Sequence, residues 1–320
     1  MRRLRVGLLS NPTAALGGAQ RIGRQVATLL TLAGVSVVDI SGPNAHVARA
    51  RALEVRDTLT ALVVVGGDGT VSLGAEIVAG TPVRLGIVPA GSGNDFSRTL
   101  GLPINNPEKA VRIALRALSQ PDIAIDAIEI TSSGPQALPH RSIAVGNLSL
   151  GFDALVNARA NTFRLTPNVR YTAAVLRELP AFTPIPYWIS VDDGPREEID
   201  ASLLTVCNSG CFGGGMRLVP DVRLDDGTLE LATLTGINRT RLMRFFPRVF
   251  RGTHTTVPGF SVRPARTVSV GVRDDRSLRS YADGDPRALL PVTARVLPGA
   301  VRLLAELPQR DLGPDRAETT

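Results

Sequence analysis

Two glycine-rich turns, each closing a short β-branched run, constrain this chain more than any other feature. The first lies in Ala61–Thr70, ALVVVGGDGT, and the second in Leu85–Arg98, LGIVPAGSGNDFSR. Ala61–Val65 and Leu85–Val88 have the unbroken apolar pattern of strands buried on both faces. In Gly66-Gly67-Asp68-Gly69, three of four residues lack a Cβ, so the backbone can turn sharply and approach a ligand closely. Thr70 is placed to cap a helix over Val71–Ala79, whose free N–H groups would face the same ligand. Two such turns at the ends of neighbouring parallel strands converge at one sheet edge, where open α/β sheets bind ligands.

The spacing excludes two familiar phosphate loops. Counted from Gly67, the third glycine of a dinucleotide fingerprint falls on Ser72, and a Walker-type loop needs a lysine where this chain's only lysine is Lys109. The turns therefore read as a phosphate cradle without a P-loop lysine.

Strand–helix alternation runs from the start of the chain. Arg5–Ser10 and Val35–Ile40 read as strands. Ala19–Ala33 is an amphipathic helix with Ile22, Val26, Leu29, Leu30 and Ala33 on one face. Ala45–Arg56 is a basic helix, and Asn106–Leu118 is a helix opened by Pro107. Such alternation implies parallel βαβ units with right-handed crossovers. Past Pro121-Asp122 the pattern changes. Ile123–Thr131, Arg141–Leu150, Tyr187–Val191, Ser202–Asn208, Thr228–Leu234, Val257–Arg263, Thr267–Val272 and Ala294–Leu297 are short strands punctuated by Gly, Pro and Asp, the signature of an antiparallel sandwich or barrel. At 320 residues, two domains or one large one are expected.

Charge and cysteine content narrow the partners. The formal net charge is +7, almost wholly from arginine, and suits nucleotide phosphates or anionic headgroups. Aromatics are few and not interleaved with basic residues, which argues against nucleic acid. Cys207 and Cys211 make no disulfide framework, and no His/Cys cluster offers a zinc site. The apolar run near Met1 is too short for a secretory leader, and no run reaches transmembrane length, so a cytoplasmic protein is expected.

These motifs resemble the diacylglycerol kinase and sphingosine kinase-like lipid kinases. Gly66–Thr70 is shared with NAD kinases, whereas Pro89-x-Gly-Ser-x-Asn-Asp-Phe-Ser-Arg98 is the discriminating element. Further along, Gly151-Phe152-Asp153-Ala154, the Gly213-Gly214-Gly215 turn, Arg223-Leu224-Asp225-Asp226-Gly227-Thr228 and Asp283-Gly284-Asp285 follow in the family's order. The resemblance covers about Arg5 to Leu304.

The resemblance implies a Rossmann-like α/β nucleotide-binding domain over residues 1–121. A mainly antiparallel β-sandwich carrying the acceptor site would follow over 122–307, then a flexible tail over 308–320, with the active site in the interdomain cleft. It implies ATP and Mg²⁺ as cofactors and a lipid hydroxyl, by default that of diacylglycerol, as acceptor. A sphingoid base, a glycolipid, or a binding protein with weakened catalysis are the alternatives. The nucleotide would meet Asn11, Pro12, Thr13, Ser41, Gly66, Gly67, Asp68, Gly69, Thr70, Ser92, Asn94 and Asp95. Where the family often has Ser-Gly after the threonine, this chain has Ala14-Ala15. Carboxylates beside phosphates repel them unless a cation intervenes, so Asp68 and Asp95 are candidate Mg²⁺ ligands. Alternatively, Asp95 caps the helix that begins at Phe96. Arg98 is assigned a structural role. A structural Mg²⁺ would be held by Asp226 and the carbonyls of Arg223 and Thr228. Asp68 and Asp285 are the catalytic candidates. Asp285 stands where the family has the glutamate general base, one methylene shorter.

Arg239–Arg251, RTRLMRFFPRVFR, is read as a core-packing helix with a basic outer face, broken at Pro247. A segment lying on an anionic bilayer is the second reading. Contact with lipid substrate at a membrane surface, peripheral at the inner face, and a homodimer complete the expected partners.

Overall fold

The computed structural model describes residues 4–11, 18–91, 93–132, 141–160, 162–163, 173–175, 177–179 and 182–305. The first part alternates as expected: β1 (Arg5–Ser10), α1 (Gly18–Leu32), β2 (Ser36–Asp39), α2 (Ala45–Val55), β3 (Ala61–Gly66), α3 (Asp68–Val78), β4 (Arg84–Pro89), α4 (Asp95–Thr99) and α5 (Pro107–Ala117). The four strands are parallel and lie in the order β4-β3-β1-β2.

Successive residues of these strands alternate between two cores, one on each face of the sheet. Val6 and Leu8 of β1 and Val63 and Val65 of β3 join a core with Val26 and Leu30 of α1 and Val111 of α5. Leu9, Leu62 and Val64 face the opposite side and pack with Val71, Ala75 and Val78 of α3. After β1 the chain crosses to one side, and after β2 it returns to the other. The switch point therefore lies beyond the ends of β1 and β3, where Asn11 and Gly66-Gly67 emerge.

The remainder is mainly antiparallel: β5 (Ile123–Ser132), β6 (Arg141–Ala144), β7 (Asn147–Ser149), α6 (Phe152–Ala160), β8 (Ile185–Val191), β9 (Glu197–Cys207), β10 (Cys211–Phe212), β11 (Met216–Arg217), β12 (Leu229–Thr235), α7 (Arg239–Arg251), β13 (Phe260–Ala265), β14 (Thr267–Val272), β15 (Arg279–Ala282), β16 (Asp285–Leu289) and β17 (Val292–Leu303). Its core gathers Leu148, Phe152, Tyr187, Leu204, Val206, Leu231 and Phe245 among others. The end of β17 returns to the first part, where Arg302 and Leu303 pair in parallel with Arg84 and Leu85 of β4. The antiparallel sandwich is thus stitched onto the edge of the α/β sheet by its own last strand.

Three local expectations are corrected and two features are added. Helix α3 starts at Asp68 with Gly67 as its N-cap, so Thr70 lies inside the helix rather than capping it. The expected strand Arg141–Leu150 is two strands, because residues 145–146 turn around the Asp283 carboxylate, which accepts from the N–H of Val145 and of Asn147. Phe152–Ala160 is a helix, and the β15 and β16 strands flank a tight Asp283-Gly284 turn, neither of which the strand pattern had signalled. Helix α7 runs unbroken through Pro247, its termini secured by Asn238, whose Oδ1 accepts the Arg241 N–H, and by Gly252 in the left-handed region.

Candidate active site

The two glycine-rich turns meet. Strand β3 hands over to Gly67, strand β4 hands over to Ala90, and the Ala90 N–H donates to the Gly66 carbonyl at 2.8 Å. A Cβ on Gly67 would lie 3.2 Å from the Gly91 Cα, and one on Gly91 would overlap the Gly67 backbone. The two loops therefore need glycine on both sides of the contact. Asn94, buried and left-handed at φ 52°, shapes the second loop: its Oδ1 accepts the Gly91 N–H at 3.1 Å and its Nδ2 donates to the Gly91 carbonyl at 2.7 Å. Arg98 Nε donates to the Gly93 carbonyl at 3.1 Å, in keeping with a structural role.

Carboxylates from both parts of the chain approach the first turns of α3. Asp68, its first residue, accepts the Phe96 N–H at 3.1 Å. A Cβ on Gly93 would stand 2.8 Å from Asp68 Oδ2 and 3.6 Å from Asp95 Oδ2, so the two groups flank that glycine. Asp95 does not cap its own helix. Its carboxylate accepts the backbone N–H of Gly214 at 2.9 Å and of Gly215 at 2.7 Å, both from the β10–β11 turn of the second part. Asp285 comes from the far end of the chain, and a Cβ on Gly69 would lie 2.8 Å from its Oδ2. Asp283, two residues earlier and buried, is fixed by the Val145 and Asn147 amides at 3.3 and 3.2 Å.

Burial and mutual repulsion push these acids up. Asp68 is raised to about 7, by burial first and by the Asp95 charge second. Asp95 is raised by burial, with the Gly214 and Gly215 amides and Arg98 pulling the other way. Asp283 and Asp285 are raised by burial and held back by Arg287. Arg287 Nη2 donates to Ser72 Oγ at 2.8 Å, tying β16 to α3.

A divalent cation fits the Asp68–Asp95 pair. Two close acids that repel each other, beside a helix N-terminus, form the donor set that Mg²⁺ uses together with phosphate oxygens. Among the described residues, no three His, Cys, Asp or Glu side chains gather as a complete metal site. At the second expected metal position, Asp226 Oδ1 accepts the Thr228 N–H at 3.0 Å and its hydroxyl at 2.8 Å. Arg223 pairs with Asp225 at 3.3 Å. The turn is clamped from β5 by Asp126, whose carboxylate accepts the N–H of Gly227 at 2.7 Å and of Gly299 at 2.8 Å. Glu230 is raised by burial and then by the Asp226 charge.

Ser41 lies beyond β2, apart from the carboxylates. Its hydroxyl sits 3.0 Å from that of Ser10 and accepts the Ser10 N–H at 2.9 Å. Both line a cavity of about 470 Å³ between α1 and the ends of β1 and β2, with Arg24 and Arg51 on its walls. Asn11 follows β1, its N–H donating to the Val65 carbonyl at 3.3 Å. Pro12, Thr13, Ala14, Ala15, Ser92 and the 308–320 tail lie outside the described residues. Gly214, Gly215, Asp126, Asp283, Ser72 and Arg287 are the residues that sequence reasoning did not assign. The Gly-Gly-Gly run and the doubled aspartates of Asp-Gly-Asp were their only signals.

A glycine-cradled helix N-terminus at the switch point of an α/β sheet, faced by acids from a β-sandwich, defines a two-domain phosphotransferase of the kinase type. Known proteins agree. Residues 5–125 match the diacylglycerol kinase catalytic domain and residues 146–305 the YegS C-terminal NAD kinase beta sandwich-like domain. A diacylglycerol kinase of Mycobacterium tuberculosis is 34% identical over 302 residues, covering 94% of each chain. A probable YegS-like lipid kinase of Stenotrophomonas maltophilia is 27% identical, over 76% of this chain and 77% of that one. The crystal structure of a Bacillus anthracis diacylglycerol kinase superposes with a TM-score of 0.69 at 18% identity, covering 96% of this chain and 98% of that one. Yeast NADH kinase shares the fold more distantly, with a TM-score of 0.55 at 10% identity, over 96% and 84%. The chain belongs to the diacylglycerol kinase family, which includes the YegS-like lipid kinases, and is a lipid kinase.

Proposed function

We propose that this lipid kinase uses ATP with Mg²⁺ and phosphorylates the free hydroxyl of diacylglycerol. The observation that carries the reading is the closeness of Asp285 to Gly69, where an added Cβ would lie 2.8 Å from the carboxylate. It sets a carboxylate of the sandwich against the first turn of the phosphate-loop helix. Asp285 accepts the hydroxyl proton as the acceptor oxygen bonds to the γ-phosphorus and ADP leaves. The amides of the Gly67–Thr70 turn hold the phosphates. Asp68 and Asp95 would hold Mg²⁺, which when bound neutralises the charge developing on the transferred group. Asp226, with the carbonyls of Arg223 and Thr228, would hold a structural Mg²⁺. Ser10 and Ser41 face the nucleoside end. Asp285 reaches the loop although it is shorter than the family's glutamate, and this favours an active enzyme over a binding protein.

The test is labelled phosphate transfer from ATP·Mg²⁺ to diacylglycerol, ceramide and sphingosine in mixed micelles. Labelled diacylglycerol is expected, lost in Asp68→Ala and lowered on the order of a hundredfold or more in Asp285→Asn. Label on sphingosine or ceramide alone would replace the acceptor. Transfer that survives intact in Asp285→Asn would remove that residue as the base.

A further inference from the structure

The outer face of α7 carries surface chemistry that the phosphoryl-transfer reading does not use. Inward, Leu242, Phe245 and Val249 are buried, and Phe245 meets the ring of His254 edge-on with centroids 5.5 Å apart. Outward, Arg241, Arg244, Arg248 and Arg251 are exposed, and none of their side chains has a partner among the described residues. The helix contains no acid. Met243 and Phe250 are 53% and 52% exposed, seven residues and hence two turns apart on one stripe, with exposed Pro247 between them. A cationic ridge beside an apolar ridge is the make-up of a helix that lies at the boundary between water and lipid.

The mount is rigid. Beyond the Gly252 cap, His254 Nε2 donates to the Leu218 carbonyl at 2.8 Å. Helix α7 packs on β11, the strand that leaves the Gly214-Gly215 turn holding Asp95. The face and the carboxylate cluster therefore belong to one packed neighbourhood.

We propose that this face docks the enzyme on an anionic phospholipid bilayer, with the four arginines on headgroup phosphates and Met243 and Phe250 set into the acyl boundary. The inference rests on the lipid-acceptor reading and names the surface on which that acceptor is met. Core packing and bilayer contact are not alternatives here, because they use opposite sides of one helix. Charge complementarity selects the occupant. A second copy would oppose these arginines with the same arginines. A nucleic-acid duplex would meet the cations but would gain nothing from covering Met243 and Phe250.

Cosedimentation of the full chain with phosphatidylcholine vesicles, with and without phosphatidylglycerol, is the test. Wild type is expected to bind only the anionic vesicles and to be released by salt. Arg241→Gln/Arg244→Gln/Arg248→Gln is expected to lower the partition coefficient on the order of a hundredfold, at about fivefold per arginine. Met243→Ser/Phe250→Ser, with every arginine retained, should lower it on the order of tenfold. Thermal unfolding that coincides with wild type shows the variants to be folded. Anionic-vesicle binding unchanged in both variants overturns the proposal, as does binding of duplex DNA or self-association without vesicle binding. Transfer to a short-chain diacylglycerol in neutral detergent reports the active site separately. If wild type fails it, the functional reading falls while the docking result stands.

Discussion

The carboxylate of Asp95 accepts the backbone N–H of Gly215 at 2.7 Å across 120 residues of chain. With Gly214 on the same carboxylate, this is the point where the glycine-rich loops are gripped by the sandwich. Asp95→Ala strands two partly buried amides and is expected to cost about 2 kcal/mol, read as a fall in the urea midpoint. Asp95→Asn keeps an acceptor oxygen and should lose less stability than Asp95→Ala. Because it also removes the charge offered to a cation, its phosphoryl transfer should fall as far as that of Asp95→Ala.

Asp68 ties stability to pH. Its folded pKa, about 7, is above the ordinary 3.8, so the folded state binds this proton more tightly than the unfolded chain does. Without metal and nucleotide, stability from this group is fully present below pH 3.8 and is lost as pH rises through about 7. Asp68→Asn should flatten that part of the Tm–pH curve relative to wild type. Saturating ATP·Mg²⁺ should flatten it in wild type, since a bound cation favours the ionised acid. A variant curve parallel to wild type would place the burden on another acid.

Gly91 is the tightest point of the loop contact, since its Cβ would overlap the Gly67 backbone. Gly91→Ala is expected to cost about 1–3 kcal/mol, because backbone cannot step aside as a side-chain tip can. Nucleotide affinity, measured by calorimetry, should fall with it. An alanine variant with wild-type Tm and affinity would rule out the contact.

Arg287 lowers the pKa of both Asp283 and Asp285 and bonds Ser72. Arg287→Met leaves the two acids without their cation, so Asp285 gains its proton at higher pH. The acid limb of the kcat/KM profile should move upward, and Arg287→Lys should return part of the shift. An unmoved limb would show that Asp285 is not the titrating base.

The parallel layer was legible because its signals are local. The unbroken apolar runs within Ala61–Gly66 and Arg84–Pro89, the helix opened by Pro107 under the Asn106 cap, and the backbone freedom of Gly66-Gly67 each act within a few residues. Thr70 misled for the opposite reason: a hydroxyl residue resembles a cap wherever it precedes an apolar run, and the Gly67 backbone took that position. The strands β15 and β16 went unsigned because Pro286 and the turn at Asp283-Gly284 break the alternating pattern that marks a strand.

The acids of the site could be named from the chain, but their assignments to one another could not. By itself the sequence determined the strand–loop–helix units and the family, and it offered the carboxylates at 68, 95, 226 and 285 as candidates. Tertiary structure decided that Asp95 answers to Gly214 and Gly215, that Asp283 anchors the turn presenting Asp285, and that Arg287 reaches Ser72 across 215 residues. The physical reason is that the partners on one side are mostly backbone amides. Every residue except proline carries one, so no residue type announces which amide will be free, and only the packing of a sandwich onto a sheet edge brings it to the carboxylate.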